Sequence, residues 1–397
     1  MAEIQPFKAI RYNENKIKDF STVITQPYDK IDDLMQNNYY EKNQYNFVRI
    51  ILGKDSIEGK EEKYIKAREY IKKWLHDNIL IKETTQAIYP YIQKYIDEGI
   101  QKVRYGFIGA LKLTDYSENV VIPHEKTLSG PKIDRQRLLE ETQTNTELIF
   151  FLYNDKSNTI KSILFDKLDK PMITFTDEYG IINSVYKVDE KSIIESVQNL
   201  MEDKRLFIAD GHHRYEISLA YAKKCRKKVK NEFLPSDYVL GSFINMDDSS
   251  GLTILPTHRV VKNISDFSKE YLLEKLENLF IIKKQENLKT LNKNMHLDQK
   301  CFGLCFKDAF YLLLAKEKNI FNKIKIENVS EAYKKLDVVI LHNLILEEIL
   351  GIDKKKLEEK TNLEYIRGFE EAYNIFIENN YNCVFLLNPT KIEELQE

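Results

Sequence analysis

The sequence has few cysteines, no excess charge of either sign and no long apolar run, and each absence excludes a class of protein. Four cysteines occur in 397 residues, and their spacing matches neither a CxxC redox pair nor a zinc-binding knuckle. No uncharged apolar run is long enough to cross a bilayer, and the first 16 residues lack the apolar centre of a signal peptide. We therefore expect buried thiols, a cytoplasmic location and no membrane partner.

The charge balance indicates which partners to expect. Lysine and arginine number 60 and aspartate and glutamate number 62, so the formal net charge is −2. A protein that coats DNA normally carries a basic excess, because neutralisation of phosphates drives that binding. Nucleic acid is therefore not the expected partner. The composition says nothing about the oligomeric state.

Periodicity predicts a mixed α/β chain of two or three domains. Apolar residues share one face over 60–80, which predicts an amphipathic helix, and residues 103–113 alternate as a strand does. From about residue 263, Lys-, Glu- and Asn-rich stretches alternate with helical patterns. We place the domains at 1–102 (an N-terminal α+β segment), 103–262 (a central core) and 263–397 (a C-terminal α+β region).

The strongest functional signal is Asp210-Gly211-His212-His213-Arg214, between a short apolar strand and a predicted helix. A glycine bend that leads into a helix presents backbone N–H groups and the positive end of the helix dipole to a phosphate. Arg214 can add a charged contact and the two histidines can add donors. Asp210 can accept a proton or hold a metal ion, although an Asp-Gly pair is also a common turn and helix cap.

Weaker candidates lie in other loops. Glu125, in the string Pro123-His124-Glu125, can act as a general base or metal ligand, or be a solvated loop carboxylate. The basic stretch 132–137 can bind phosphate or form a solvated helix face. Gln26-Pro27-Tyr28-Asp29 is typical of a turn, and His258 can be a structural or a site residue.

Several strings together resemble a widespread bacterial family catalogued as a domain of unknown function. They are Gln5-Pro6-Phe7, Gln26-Pro27-Tyr28-Asp29, Pro123-His124-Glu125-Lys126-Thr127, Asp134-Arg135, Asp210-Gly211-His212-His213-Arg214-Tyr215-Glu216 and Gly251-Leu252-Thr253-Ile254-Leu255-Pro256-Thr257-His258-Arg259. The resemblance extends from near residue 4 to about Asn388. That family is similar to the ParB/sulfiredoxin superfamily, whose nucleotide-binding loop opens a helix. Within the superfamily, the free-serine kinases, which phosphorylate L-serine to O-phospho-L-serine, are the closest functional match.

The resemblance implies a ParB/sulfiredoxin-like central domain between N-terminal and C-terminal α+β extensions. It also implies that ATP, or ADP, binds with its phosphates at Gly211, His212, His213 and Arg214. Asp210 would hold Mg²⁺ or orient the acceptor.

The remaining implied roles concern the acceptor, expected to be a small hydroxyl metabolite and specifically L-serine. Glu125 would be the base on the hydroxyl, as in the kinases' similar His-Glu element. The implied catalytic residues are Glu125, Asp210 and His213, and the implied substrate-binding residues are His124, Asp210, His258 and Arg259.

Three other functions compete with a kinase. A ParB-like nucleotide-binding switch or DNA-associated protein would lack kinase activity, and the neutral charge weighs against it. A sulfiredoxin-like reductase needs a cysteine in the phosphate loop, where this chain has His212, and is rejected. A metal-dependent hydrolase would use His124, His212, His213 and His258.

Overall fold

The chain divides into two compact units, which are Met1–Leu252 and Thr253–Glu397. The computed structural model describes residues 1–54, 62–97, 99–123, 130–227, 229, 233–248, 250–252, 256–295, 300–316, 320–321, 323–324, 326, 331–353, 356 and 361–390.

This division differs from the predicted boundaries at 102/103 and 262/263. Residues Ile100–Lys112 form one strand, so the first predicted boundary falls inside an element. The strand His258–Val261 pairs with strands more than a hundred residues later, which assigns it to the second unit. Pairing between distant strands therefore sets the division, and a change in local composition does not reveal it.

The first unit combines a large sheet with helices. Its strands are β1 (Ile4–Gln5), β2 (Ile10–Tyr12), β3 (Leu80–Lys82), β4 (Tyr89–Asp97), β5 (Ile100–Lys112), β6 (Val121–Ile122), β7 (Ile149–Tyr153), β8 (Ile173–Thr176), β9 (Ile182–Val185), β10 (Leu206–Asp210) and β11 (Tyr238–Asn245). Its α-helices are α1 (Asp33–Lys42), α2 (Val48–Ile51), α3 (Glu62–His76), α4 (Gly130–Thr142), α5 (Thr159–Phe165), α6 (Lys191–Glu202) and α7 (His212–Arg226). Short 3₁₀ turns occupy Phe20–Thr22, Tyr28–Lys30, Tyr116–Glu118 and Pro235–Asp237.

The sheet of the first unit follows the order β6-β10-β7-β11-β5-β4-β9-β8, and β1 also pairs with β5. The pairs β6–β10 and β7–β11 are parallel, and the other pairs are antiparallel. Phe107, Phe243 and Phe151 occupy one row across three strands, with ring centroids 5.0 and 5.3 Å apart. Since aligned residues of neighbouring strands face the same side, this row forms the centre of a core that also contains Tyr215 of α7.

Local predictions in the first unit agree closely with the structure. The amphipathic helix predicted over 60–80 is α3, and the strand predicted over 103–113 is β5. The junction at 206–226 is β10 followed by α7, but the helix begins at His212, three residues earlier than its periodicity indicates. Gly211 makes the earlier start possible, because its φ of +98° turns the chain within one residue. A mixed α/β architecture is thus confirmed.

The second unit is built on an antiparallel sheet. Its strands are β12 (His258–Val261), β13 (Phe280–Gln285), β14 (Cys301–Phe306), β15 (Ala309–Ala315), β16 (Leu363–Ile366) and β17 (Cys383–Leu387), in the order β13-β15-β14-β17-β12-β16. Its α-helices are α8 (Lys269–Glu277), α9 (Leu288–Met295), α10 (Glu331–Lys334), α11 (Asp337–Ile340) and α12 (Phe369–Glu378), and a π-helix follows α11 over Leu341–Glu347. Apolar side chains pack on both faces of this sheet.

Composition led us to expect buried thiols and no membrane partner, and the cysteines and helices of the structure concern these two expectations. Cys301, Cys305 and Cys383 are buried in strands, Cys225 is half-buried in α7, and all four are free thiols. Burial raises the pKa of the Cys301 thiol. Within the part of the chain that the structure describes, no helix is long and apolar enough to cross a membrane.

Candidate functional site

The junction between β10 and α7 depends on a glycine. Asp210 ends β10, and Gly211 caps α7 in the left-handed conformation. A Cβ atom added to Gly211 would lie 3.1 Å from Cζ and Nε of Arg214. Glycine is therefore favoured here by backbone conformation and by the close approach of the guanidinium.

Arg214 is held at the start of α7 by two acceptors. Nη2 donates to Oδ2 of Asp210, and Nη1 donates to the backbone carbonyl of Leu148. The side chain of Arg214 is 16% exposed, whereas that of Asp210 is 61% exposed. A shielded cation is thus fixed beside an open carboxylate at the amino end of a helix.

A cleft of about 570 Å³ opens beside this junction. Small-molecule sites commonly measure roughly 300–1,000 Å³. Its lining residues come from the N-terminal segment, from the β4–β9–β8 side of the sheet and from the ends of β7 and β10. They include Gln26, Pro27, Tyr39, Lys42, Tyr91, Gln93, Glu147, Leu148, Phe175, Asp177, Glu178, Asn183, Asp210 and Arg214.

Glu147 is a second carboxylate in the wall of the cleft. Its side chain is 12% exposed, Oε1 accepts from the backbone N–H of Tyr28 at 3.4 Å, and Oε2 lies 3.8 Å from Nη1 of Arg135. Burial raises the pKa of Glu147, although the nearby positive charges of Arg214 and Arg135 lower it in part. A carboxylate with a raised pKa in a cleft is suited to general acid–base chemistry.

Arg135 of α4 lies next to Glu147 and Tyr28. Its side chain is 6% exposed, Nε donates to Oδ2 of Asp134 at 2.8 Å, and the guanidinium lies 4.1 Å from the ring centroid of Tyr28. Among the residues that the structure describes, none forms a hydrogen bond with Nη1. Tyr64 donates to Oδ1 of Asp134 at 2.7 Å, so the carboxylate has its own support.

Sequence analysis pointed to some of the residues around this cleft but not to Glu147. The sequence left two roles for the basic stretch 132–137, which were phosphate binding and a solvated helix face. In the structure, Arg135 of this stretch is buried. The Gln26–Asp29 string, expected to be a turn, forms a 3₁₀ turn beside Glu147. Sequence analysis did not single out Glu147. The available signal was a carboxylate directly before the apolar run of β7.

The other predicted residues of the phosphate loop occupy different depths. His212 is buried, with 5% of its surface exposed, and His213 is half-buried. The two histidines are therefore not equally accessible to a ligand. Asp210 and Arg214 are brought together at the cleft. His124 and Glu125 lie outside the described residues. The prediction that Glu125 is the base therefore stays a prediction.

His258 and Arg259 lie in the second unit, at the start of β12. Both are buried in that unit's own packing: Nδ1 of His258 accepts from the backbone N–H of Leu387 at 3.1 Å, and Nε of Arg259 donates to Nε2 of His342 at 2.9 Å. Their predicted role in substrate binding stays a prediction.

Asp210 is the residue whose chemistry best fits a divalent cation. Among the described residues, no group of three or more His, Cys, Asp or Glu side chains could hold a metal ion. Magnesium, however, is commonly held by one or two carboxylates together with substrate phosphates and water. Asp210 offers one exposed carboxylate at the start of α7.

Comparison with known proteins gives one positive finding. A protein-family model described as "Protein of unknown function (DUF1015)" matches residues 4–339, so the match ends before the expected limit near Asn388. No curated protein and no solved structure matches the chain. The matched range contains the cleft residues of the first unit and Arg259.

Proposed function

The chain belongs to the DUF1015 family of proteins of unknown function, as its sequence strings predicted, and from this premise we propose that it phosphorylates a free small hydroxyl metabolite. ATP is the proposed donor and L-serine the proposed acceptor. The single observation that carries the proposal is a cleft of about 570 Å³ whose wall holds Arg214, Asp210 and Glu147. A ParB/sulfiredoxin-like arrangement of the nucleotide-binding core forms part of the same proposal.

Phosphate binding is assigned to the start of α7. A 15-residue helix directs its positive end toward the loop at Gly211. Arg214 is oriented there by Leu148 and Asp210, so little side-chain freedom remains to be lost when a phosphate binds. Phosphoryl transfer depends chiefly on positioning and charge neutralisation, which a fixed guanidinium and a helix terminus supply.

Asp210 is the proposed ligand of Mg²⁺. When bound, the ion would neutralise charge on the nucleotide phosphates. Asp210 also orients Arg214, so one carboxylate lies beside both the metal and the phosphate positions.

Two carboxylates compete for the role of base on the acceptor hydroxyl. The family resemblance favours Glu125, which lies outside the described residues. The structure adds Glu147, whose burial raises its pKa and whose oxygen atoms are held by Tyr28 and Arg135. A base must accept a proton near its operating pH, which a raised pKa favours.

The proposal is tested by incubating the full chain with ATP, Mg²⁺ and a panel of L-serine, L-threonine, L-homoserine and glycerol, followed by mass spectrometry. We expect a product heavier than one acceptor by one phosphoryl group. Arg214→Ala should reduce its formation, whereas Arg226→Ala, on the same helix and paired with Asp237, should not. Nucleotide binding without any phosphorylated product would contradict the kinase proposal and favour a ParB-like switch.

A further inference from the structure

Arg259 is a buried cation whose contacts with the described residues are all with neutral groups. It is 6% exposed, in the first strand of the second unit. Nε donates to Nε2 of His342 at 2.9 Å, Nη1 donates to the carbonyl of Thr257 at 2.5 Å, and the guanidinium lies 4.6 Å from the ring centroid of Tyr365. Among the described residues, no carboxylate forms an ion pair with it.

His342 does not supply a compensating charge. Burial, and then the charge of Arg259, lower the pKa of His342 to about 4, so the imidazole is neutral at neutral pH. Because Nε2 accepts from Arg259, the proton of the neutral ring is on Nδ1. The imidazole therefore accepts one hydrogen bond and retains one donor.

The carboxylate nearest along the paired strand is engaged elsewhere. Glu364 is paired in register with Val260, one residue after Arg259, so its side chain is on the other face of the sheet. It accepts from Lys262 at 2.6 Å and from Tyr381 at 2.9 Å. It therefore cannot neutralise Arg259 without breaking two contacts. His258 precedes Arg259 and is likewise on the opposite face.

Burial of an unneutralised guanidinium is costly, since transfer of an ion from water carries a penalty of several kcal/mol even after relaxation. Buried charges are consequently almost always paired. His342 also lies in the π-helix Leu341–Glu347, and π-helical turns are rare elements that frequently occur at functional sites. The two features coincide at one contact, Arg259 to His342.

We propose that Arg259, His342 and Tyr365 form a binding site for a small oxyanion, the carboxylate or phosphate group of a ligand, within the second unit. An arginine fork matches either group with two parallel hydrogen bonds. These residues belong to the second unit, whereas the assigned phosphate position at α7 belongs to the first, and the proposal does not depend on kinase activity.

The test measures thermal unfolding of the full chain in an amine buffer with chloride as the only anion, and then with acetate or inorganic phosphate at the same ionic strength. A ligand that binds only the folded state raises the unfolding temperature. We expect a rise of at least about 2 °C with one of the two anions. Whichever anion acts at the lower concentration identifies the group that the site takes.

Variants assign the effect to Arg259. Arg214→Ala removes the other proposed phosphate position, and the rise should persist in it. Arg259→Met should abolish the rise while leaving the unfolding temperature in chloride equal to or above that of the wild type, because a buried unpaired charge is removed. A merely structural arginine would instead make this variant less stable.

Arg259→Gln provides a second route if the methionine variant does not fold. Its amide still donates one hydrogen bond but lacks the charge and the fork, so the anion effect should disappear. The proposal is overturned if the wild type shows no rise over chloride, or if the rise survives in either variant of Arg259.

Discussion

Buried arginines are stabilised in opposite ways in the two units. In the first unit, Arg135 contacts Asp134 and Glu147, and Arg214 contacts Asp210. In the second unit, Arg259 contacts an imidazole, a carbonyl and an aromatic ring. The charges of Arg135 and Arg214 are therefore balanced by neighbouring carboxylates, whereas no carboxylate among the described residues pairs with Arg259.

This difference determines what a ligand would change. At Arg214, a phosphate would meet a guanidinium that Asp210 already orients and partly neutralises. At Arg259, an incoming oxyanion supplies the first negative charge. As proposed, a ligand of the first site would add to an existing ion pair, whereas a ligand of the second site would supply the compensating charge.

The largest expected effect is on turnover, and it tests whether Glu147 of the first unit is the base. If Glu147 accepts the proton of the acceptor hydroxyl, Glu147→Gln keeps the size of the side chain and removes the proton acceptor. Turnover should then fall by roughly 10²-fold or more, with nucleotide affinity within a few-fold of the wild type. Steady-state kinetics and calorimetry with ATP measure the two quantities.

Glu125→Gln is the rival variant, and Glu140→Gln, on α4 and paired with Lys224, is the matched control. Only one of the first two should cause the full loss if one carboxylate is the base. Normal turnover in Glu147→Gln would assign Glu147 to structural support of Arg135.

The next largest expected effect is a pH dependence of folding stability that arises from two histidines of the second unit. Burial, followed by the charge of Arg259, lowers the pKa of both His258 and His342 to about 4. Their unfolded forms take up protons near pH 6.5, so the unfolded state binds more protons between pH 6.5 and 4. Stability should therefore fall as the pH falls through this window, by roughly 2 kcal/mol for each histidine.

Thermal unfolding between pH 7.5 and 4.5 measures this slope. His342→Gln retains an acceptor for Arg259 but cannot titrate, so it should flatten the slope. His76→Gln, at a side chain that is 88% exposed, should leave the slope unchanged. An equal slope in all three proteins would show that His342 does not contribute to it.

Loss of the arginine at α7 should have a somewhat smaller effect. Arg214→Ala removes the charge-assisted contact proposed for the phosphates and should weaken ATP binding by at least ~1.5 kcal/mol, or about tenfold. Calorimetry with ATP and ADP in the presence of Mg²⁺ measures the change. Arg226→Ala is the control, and equal affinity in both variants would remove the phosphate assignment of this helix.

The smallest effect concerns Gly211. Gly211→Ala places a Cβ 3.1 Å from the guanidinium of Arg214, whereas Gly180→Ala, at a similar positive φ, has no atom within 4 Å of the new Cβ. Both variants carry the same kind of backbone strain, so the difference isolates the contact. Gly211→Ala should be less stable than Gly180→Ala by about 1 kcal/mol in urea unfolding, and equal losses would argue against a tight junction.

Much of the candidate site was predictable because it is local in the chain. The strand, the glycine bend and the helix at 206–226 follow from apolar periodicity and from the backbone freedom of Gly211. Asp210 and Arg214 are four residues apart on either side of the Gly211 bend, so the sequence already places both at the same loop. Membership of the family was likewise readable from short strings.

Tertiary structure alone decided the features that depend on distant pairing. Tyr28 and Glu147 are 119 residues apart and meet because the N-terminal segment packs beside β7, and burial there raises the pKa of a glutamate that looked ordinary. Arg259 was singled out only through the family resemblance, and the pairing of β12 with β16 shows that it is buried against Tyr365, with no carboxylate paired to it among the described residues. Periodicity encodes which face of an element is apolar, whereas charge compensation depends on which segments the fold brings together.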